Sequence, residues 1–262
     1  MIVPLVPIEI LSIYKNRQNG QRIFLPSRFA RCTPDTQLAL IRIGEDVKER
    51  GGNFFLSDLF RSHDMQLQAH LDFVTKKKKA FSPPPGGSMH EAGRGFDIDL
   101  ASIKMPLKDF WEIAAKYDVA PIIPKPISSA SEAWHFDCRG SHHVVYEYYR
   151  TKKGKNIGHP YTAMAMSAIL SAGIQVDAYQ NRQKEAAIQS GLIRLGFEIG
   201  NMDGFIGPNT RQGLVDAGVP PTDSLDVILE VLKMQLEVKF PKEFFPPALD
   251  TGNTVIPEHL NP

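Results

Sequence analysis

Cysteine is scarce in this sequence: two in 262 residues, Cys32 and Cys138, far apart and outside any CxxC unit. That excludes a small disulfide-stapled scaffold and argues against a metal site built on thiolates. An excess of charge of either sign is also missing. Thirty basic residues stand against 29 acidic ones, so the formal net charge is +1 and no global field draws the chain to nucleic acid or anionic lipid. Strongly apolar runs are absent as well. Asn156–Val176 carries no full charge and is long enough to cross a bilayer. Its Ala, Ser, Gly and Thr content, with His159, Pro160 and Gln175 inside, makes its transfer out of water poor, so it reads as a partly buried helix between domains. The N-terminus lacks a basic residue ahead of its apolar run and a small-x-small cleavage site. Pro4, Pro7 and Glu9 interrupt it, so the expectation is an opening extended segment and no Sec signal. What remains, 42% hydrophobic and 23% charged residues, is the composition of a globular chain and excludes disorder as its main state.

Composition shifts near residues 150–160, where RTKKGKNIGHP is basic and without hydrophobic period. The expected organisation is a unit over 1–150, a linker and connecting helix over 151–177, a helical unit over 178–240 that folds separately, and an irregular tail over 241–262. In the first unit, Ser62 as N-cap, Asp64 in the first turn and Leu67, Leu71 and Val74 at i, i+4, i+7 predict a helix over 61–79. Lys76 to Lys79 close it as a solvated end that suits the helix dipole. A second helix is expected over 107–117, and strands over 95–100, 120–123 and 134–138. In the second unit Ile188, Leu192 and Leu195 form one apolar face ended by Gly196, and Leu225, Leu229, Leu232 and Leu236 form another. The fold class is α+β: a small antiparallel sheet with flanking helices, followed by a small three-helix domain.

Three segments carry chemistry: Phe60-Arg61-Ser62 with Gln66 downstream, the run from Ser88 through His90, Gly93 and Gly95 to Asp97 and Asp99, and Glu132-Ala-Trp134-His135. His90, Asp97 and His135 supply two imidazoles and a carboxylate, a donor set suited to catalytic zinc with an open position for water. Glu132 stands close enough to a ligand to take a proton from that water. Gly93 and Gly95 argue against a helix between His90 and Asp97, and their odd spacing separates them on one continuous strand. His90 therefore belongs in a loop and Asp97 on the strand that follows. Glu132 and His135, also at odd spacing, converge only through a turn. Each residue alone has a plainer reading as a surface, capping or ion-pairing group, and Asp99 competes with Asp97 as a ligand; spacing favours Asp97. His142 and His143 read as surface residues.

Together these residues resemble the zinc D-alanyl-D-alanine peptidase family, which includes vancomycin-resistance carboxypeptidases and several phage endolysins. The pattern SxHxxGxxxD is met by Ser88, His90, Gly93 and Asp97, and ExxH with a preceding Trp by Glu132, Trp134 and His135. The resemblance covers roughly residues 50–145. It implies one Zn2+ per chain on His90, Asp97 and His135, Glu132 as general base, Arg61 binding substrate or steadying the oxyanion, and Ser88 holding the substrate backbone. Trp134 reads as a pocket wall. Gly95 and Phe60 depart from the Ala and Tyr the family often has.

Residues 178–240 carry LGF, then Gly200-x-x-Asp203-Gly204-x-x-Gly207-Pro208-x-Thr210, and resemble the small three-helix peptidoglycan-binding domain. Leu214 to Gly218 departs from that family's closing AxxxFQ. The two resemblances imply a peptidoglycan peptidase acting at or near D-alanine of the wall stem peptide, a monomer with peptidoglycan as its partner. Without a Sec signal, a phage endolysin or a lytic part of a phage or contractile-injection assembly fits. The alternative is a non-catalytic wall-docking or structural protein that keeps the zinc fold.

Overall fold

A computed structural model describes residues 2–246. The chain opens with four short strands, β1 (Val6–Pro7), β2 (Leu11–Lys15), β3 (Arg22–Phe24) and β4 (Arg31–Cys32), before the first long helix, α1 (Pro34–Glu49). Pro34 stands in the first turn of α1 and Asp35 beside its positive end, two features that favour a helix start. Ala39, Leu40, Ile43 and Val47 recur at helical spacing and are buried with the sheet residues Leu56, Phe96 and Phe136. There follow β5 (Leu56–Asp58), α2 (His63–Val74), a 3-10 turn (Met89–Ala92), β6 (Gly95–Ile98), α3 (Leu107–Ala115), β7 (Val119–Pro121) and β8 (His135–Cys138).

Six strands form one sheet in the order β3-β2-β5-β6-β8-β7, and β1 pairs with β4 separately. The sheet is mixed, not purely antiparallel as the sequence suggested: Ser12 of β2 pairs with Leu56 of β5 in parallel. The reason is connectivity, because α1 lies between these two strands and parallel neighbours need a crossover of that length. Antiparallel pairing of β6 and β8 sets Phe96 opposite Phe136 and Asp97 opposite His135. Side chains alternate across a strand. One face therefore carries Phe96 and Phe136, packed with Phe110 in the core, with ring centroids of Phe110 and Phe136 4.9 Å apart. The other face carries Asp97, His135 and Asp137.

Helix α2 is shorter than its periodicity suggested. Ser62 caps it by accepting from the Met65 N–H at 3.4 Å, but it ends at Val74, and Lys76 lies in the left-handed region at φ 61°. The four lysines fall in the turn beyond, where a longer helix would have stacked like charges. Leu67, Leu71 and Val74 are exposed, and Gln66 is the buried residue of this helix. The buried residue of α2 is thus polar, and Gln66 accepts from Arg61 of the site described below.

The remainder is helical: α4 (His142–Arg150), α5 (Pro160–Ser171), α6 (Gln183–Leu195), α7 (Pro208–Asp216), α8 (Leu225–Lys239) and the short α9 (Pro241–Phe244). Gly196 ends α6 at φ 108° and Pro208 opens α7, as the sequence indicates. Apolar residues of α4, α5, α6 and α8 share one core, which also takes in Val3, Met89 and Ala92. Residues 241–244 are not irregular: they form α9, which buries Glu243 and Phe244. The rest of the expected tail, 247–262, lies outside the described residues. His142 is a correction, for it is fully buried between Ser167 (Nδ1 to Oγ 2.8 Å) and Ser171 (Nε2 to Oγ 3.3 Å). Two small hydroxyl residues one turn apart on α5 give its ring polar partners inside the core. His143 is exposed. Among the described residues no helix is long and apolar enough to cross a membrane.

Candidate metal centre

Three elements bring His90, Asp97 and His135 together. The 3-10 turn carrying His90 is capped by Ser88, whose Oγ accepts from the His90 N–H at 3.3 Å, and Glu91 reaches back to the Ser88 N–H at 3.3 Å. Gly93, at φ 64°, ends that turn. Gly95 then lets it lie directly on β6, because a Cβ there would sit 2.8 Å from the His90 nitrogen. The ligand atoms meet: His135 Nδ1 is 2.9 Å from Asp97 Oδ1 and 3.2 Å from His90 Nε2, and His90 Nε2 is 3.4 Å from Asp97 Oδ1. All three residues are buried, at 1% exposure for His90, 5% for His135 and 9% for Asp97.

Hydrogen bonds behind the rings decide which nitrogens face inward. His90 Nδ1 lies 2.6 Å from the Leu59 carbonyl oxygen, which can only accept, so Nδ1 carries the proton and Nε2 presents a lone pair. His135 Nε2 lies 3.0 Å from Asp137 Oδ1, so Nε2–H donates there and Nδ1 presents its lone pair. Two lone pairs and a carboxylate oxygen within 4.8 Å of one another repel unless a cation sits among them. Burial opposes charge on His135, yet Asp137 and Asp97 push its pKa up to about 10, so that without a metal a proton on Nδ1 is the cation of the cluster, and a metal takes that lone pair by displacing it. Burial would likewise raise Asp97, but His90 and His135 hold its carboxyl well below the usual range. The centre attracts positive charge, and its N2O donor set fits zinc.

These residues open into a cavity of about 580 Å³. Glu132 lines it, and its Oε1 is buried without a hydrogen-bond partner. The backbone of Glu132 is left-handed at φ 65°, a conformation that only a tight turn imposes on such a residue. The His135 N–H donates to the Glu132 carbonyl at 3.0 Å, so this is the turn that spacing demanded. Burial raises the Glu132 carboxyl above its ordinary pKa, against the pull of His135. Arg61 is buried beside the cluster: Nε donates to Asp58 at 2.7 Å, Nη1 to Gln66 at 3.2 Å and Nη2 to Asp97 Oδ2 at 3.5 Å. Although burial works against its charge, Asp58 and Asp97 hold that charge in place.

Ser88 and Trp134 also line the cavity, so the expected site residues converge on one space. Asp99 does not reach it and pairs with Arg22 at 3.5 Å. Sequence reasoning missed Asp137, which strand alternation from His135 would have shown to share that ring's face. It also missed Tyr161, whose hydroxyl donates to Asp137 Oδ1 at 3.4 Å from α5, and no local signal in the sequence points to it.

The sequence matches no family model and no curated protein. Among solved structures it is similar to the LD-carboxypeptidase LdcB, a structure concerned with peptidoglycan recognition, at 20% identity and a TM-score of 0.39, over 51% of this chain and 66% of that one. It is similar to DacB from Streptococcus pneumoniae at 20% identity and TM-score 0.33, over 51% and 84% of the two chains. A mutant of the vancomycin-resistance D,D-pentapeptidase VanY in complex with Zn(II) is similar at 15% identity and TM-score 0.32, over 52% and 85%. These are partial likenesses, confined to about half of this chain.

Proposed function

We propose that this protein is a zinc-dependent peptidoglycan peptidase that hydrolyses a peptide bond at or near D-alanine in the wall stem peptide. The observation that carries this reading is the convergence of two imidazole lone pairs and a carboxylate oxygen beside the unpartnered Oε1 of Glu132, all in one cavity. Two His and one carboxylate also suit non-haem iron. The free carboxylate beside them favours hydrolysis, since a water-activating base is what that reaction needs.

His90, Asp97 and His135 hold one zinc, which supplies Lewis acidity toward water and the scissile carbonyl. Glu132 Oε1 accepts the proton of the attacking water and returns it to the leaving amine. Arg61, fixed by Asp58 and Gln66, faces the negative charge that develops on the carbonyl oxygen. Ser88 keeps its hydroxyl proton free while its oxygen accepts from His90, so it can donate to the substrate backbone. Trp134 forms part of the wall. Residues 178–240 act as a wall-binding region that raises the local substrate concentration, an effective-concentration effect. The chain acts as a monomer, as a phage endolysin or a lytic part of an injection apparatus.

The rival is a wall-docking protein without turnover, and an intact base at Glu132 speaks against it. Incubation of zinc-loaded and chelator-treated protein with defined muropeptides, read by product mass, tests the proposal. Zinc-dependent loss of terminal D-alanine or release of cleaved stems is expected; binding to sacculi with no new product in either state would establish the rival.

A further inference from the structure

The cavity also holds a cation that the proposed chemistry does not use. Its lining includes three carboxylates, Asp58, Asp97 and Glu132, and three cations, Arg61, Lys78 and Arg139. Arg61 is consumed by Asp58 and Asp97, and Lys78 lies near enough to Glu132 to pull on its carboxyl. Arg139 forms no ion pair with a carboxylate among the described residues, although it lies near enough to Glu147 to pull on its carboxyl. It is nevertheless held firmly. Its backbone N–H donates to the Asp118 carbonyl at 3.1 Å, its Nη2 donates to the Pro121 carbonyl at 3.1 Å, and its guanidinium carbon lies 5.2 Å from the centroid of the Tyr146 ring. Its Nε is buried and has no partner.

A fixed, partly desolvated guanidinium with donors left over is preorganised for a planar anion, because its fork matches a carboxylate in two parallel hydrogen bonds. The strand order says where that anion lies. Arg61 follows β5 and Arg139 is tied to β7, and β6 and β8 with the metal ligands run between them. Neighbouring strands are about 4.8 Å apart, so the two cations flank the centre across roughly three strand spacings. An extended peptide advances about 3.3 Å per residue. A carboxylate reaching Arg139 therefore belongs to a residue within about two positions of the scissile bond.

We infer that Arg139 is a specificity-determining residue that binds a carboxylate of the peptide substrate, so that the cavity selects anionic peptides. This rests on the peptidase reading above. The carboxylate can be the terminal one or an internal one, and the same experiment tells them apart. Zinc-loaded wild-type, Arg139→Gln and Arg139→Lys proteins are assayed on three stem peptides: one unmodified, one with the terminal carboxylate amidated, one with the internal carboxylate nearest the scissile bond amidated. In the wild type, amidation of the bound carboxylate should lower kcat/KM by ~10–100-fold, chiefly through KM. In Arg139→Gln the same amidation should have no further effect, and Arg139→Lys should recover part of the preference. Dependence on the terminal group assigns trimming of chain ends, and dependence on the internal group assigns cleavage within the stem. Unchanged ratios among the three peptides in Arg139→Gln would overturn the inference. A wild-type protein that holds zinc but cleaves none of them removes the peptidase reading instead. Calorimetric binding of the same peptides to wild type and Arg139→Gln then decides the role of Arg139: loss of the preference for the carboxylate in the variant upholds it, and an unchanged preference ends it.

Discussion

Two clusters of charge, one lining the cavity and one around Arg94 and Arg194, are built differently. Close to the candidate ligands in the first, Asp58, Asp97, Glu132 and Asp137 stand with Arg61, while Lys78 and Arg139 lie elsewhere in the lining, and two acceptors, Glu132 Oε1 and Asp137 Oδ2, are left without hydrogen-bond partners. In the second, Arg94 and Arg194 are matched by Asp35 and Glu243. Arg94 Nη1 donates to Asp35 at 2.8 Å and to the Cys138 carbonyl at 3.1 Å; Arg194 pairs with Glu243 and donates from Nε to Ser141 Oγ at 2.6 Å. There the atoms without hydrogen-bond partners are donors, Arg94 Nε and Nη2 and Arg194 Nη1, of which Arg94 Nη2 still lies 3.4 Å from Glu243 Oε1. Despite its burial, Glu243 is held below its ordinary pKa by Arg194 and Arg94. The balanced cluster joins α1, the start of β6, α6 and α9 and acts as a clamp. The one that opens to the cavity gathers unpartnered acceptors around His90, Asp97 and His135, an arrangement that fits a cation. Unpartnered buried acceptors with access to solvent, not burial of charge as such, mark the candidate site.

Variants that strike one cluster and spare the other sharpen this contrast. The largest effect is expected from Glu132→Gln, which keeps the shape of the side chain and removes its basic oxygen. Turnover should fall by ~10²–10⁴ while zinc content stays at one per chain, measured by steady-state assay and metal analysis. Asp97→Ala should lower metal content and activity together. Full zinc with near-normal turnover in Glu132→Gln would end its role as the base. Next is Glu243→Gln, which leaves two buried arginines short of a counter-charge. Unfolding by urea should show a loss of about 3–5 kcal/mol with zinc content intact; a loss below about 1 kcal/mol would mean that the balanced cluster is no clamp.

A smaller change is expected from the residues behind His135. Asp137→Asn should weaken zinc binding by ~10–100-fold in competition with a chromophoric chelator, and Tyr161→Phe by less, since its hydroxyl is one step further from the ring. Equal affinity in all three proteins would show that the ring is oriented by packing alone. The smallest concerns His63, which meets Asp177 at 3.0 Å on the surface and thereby links α2 to the helical part. The hydrogen bond to Asp177 raises the His63 pKa against a little burial. A raised histidine stabilises below its unfolded pKa of about 6.5, and the contribution disappears as pH rises through the folded value. His63→Gln should therefore cost ~0.2–1 kcal/mol at pH 5.5 and nothing at pH 8.5, less in high salt. A penalty that persists at pH 8.5 would assign His63 a packing role.

Local sequence was a good guide wherever a residue's role depends on its own neighbours in the chain. The apolar faces of α6 and α8, the glycine stop after α6, the Ser62 cap and the strands on both sides of the site follow from periodicity and capping, which are short-range effects. The convergence of His90, Asp97 and His135 follows in the same way, because SxHxxGxxxD and ExxH place each residue on a turn or strand that local geometry allows. Periodicity misled at α2, where Leu67, Leu71 and Val74 face solvent because the inward face is needed by Gln66, whose Nε2 holds the Pro83 carbonyl at 2.7 Å. It misled at His142 too, since nothing within a few residues announces that α5 will cover that ring with two serines.

The sequence by itself singled out the side chains of the candidate site, through identity and short spacing, and His90, Asp97 and His135 do converge. Only the tertiary structure decided that Asp97 lies opposite His135, that Asp137 and Tyr161 stand behind the ring, that Arg139 forms no ion pair with a carboxylate among the described residues, and that Glu243 of α9 neutralises Arg94, just before β6, and Arg194 of α6. The physical reason is that strand register and buried charge pairing join residues far apart in the chain. Their energies depend on distance and burial in the folded state, and those quantities have no local signature.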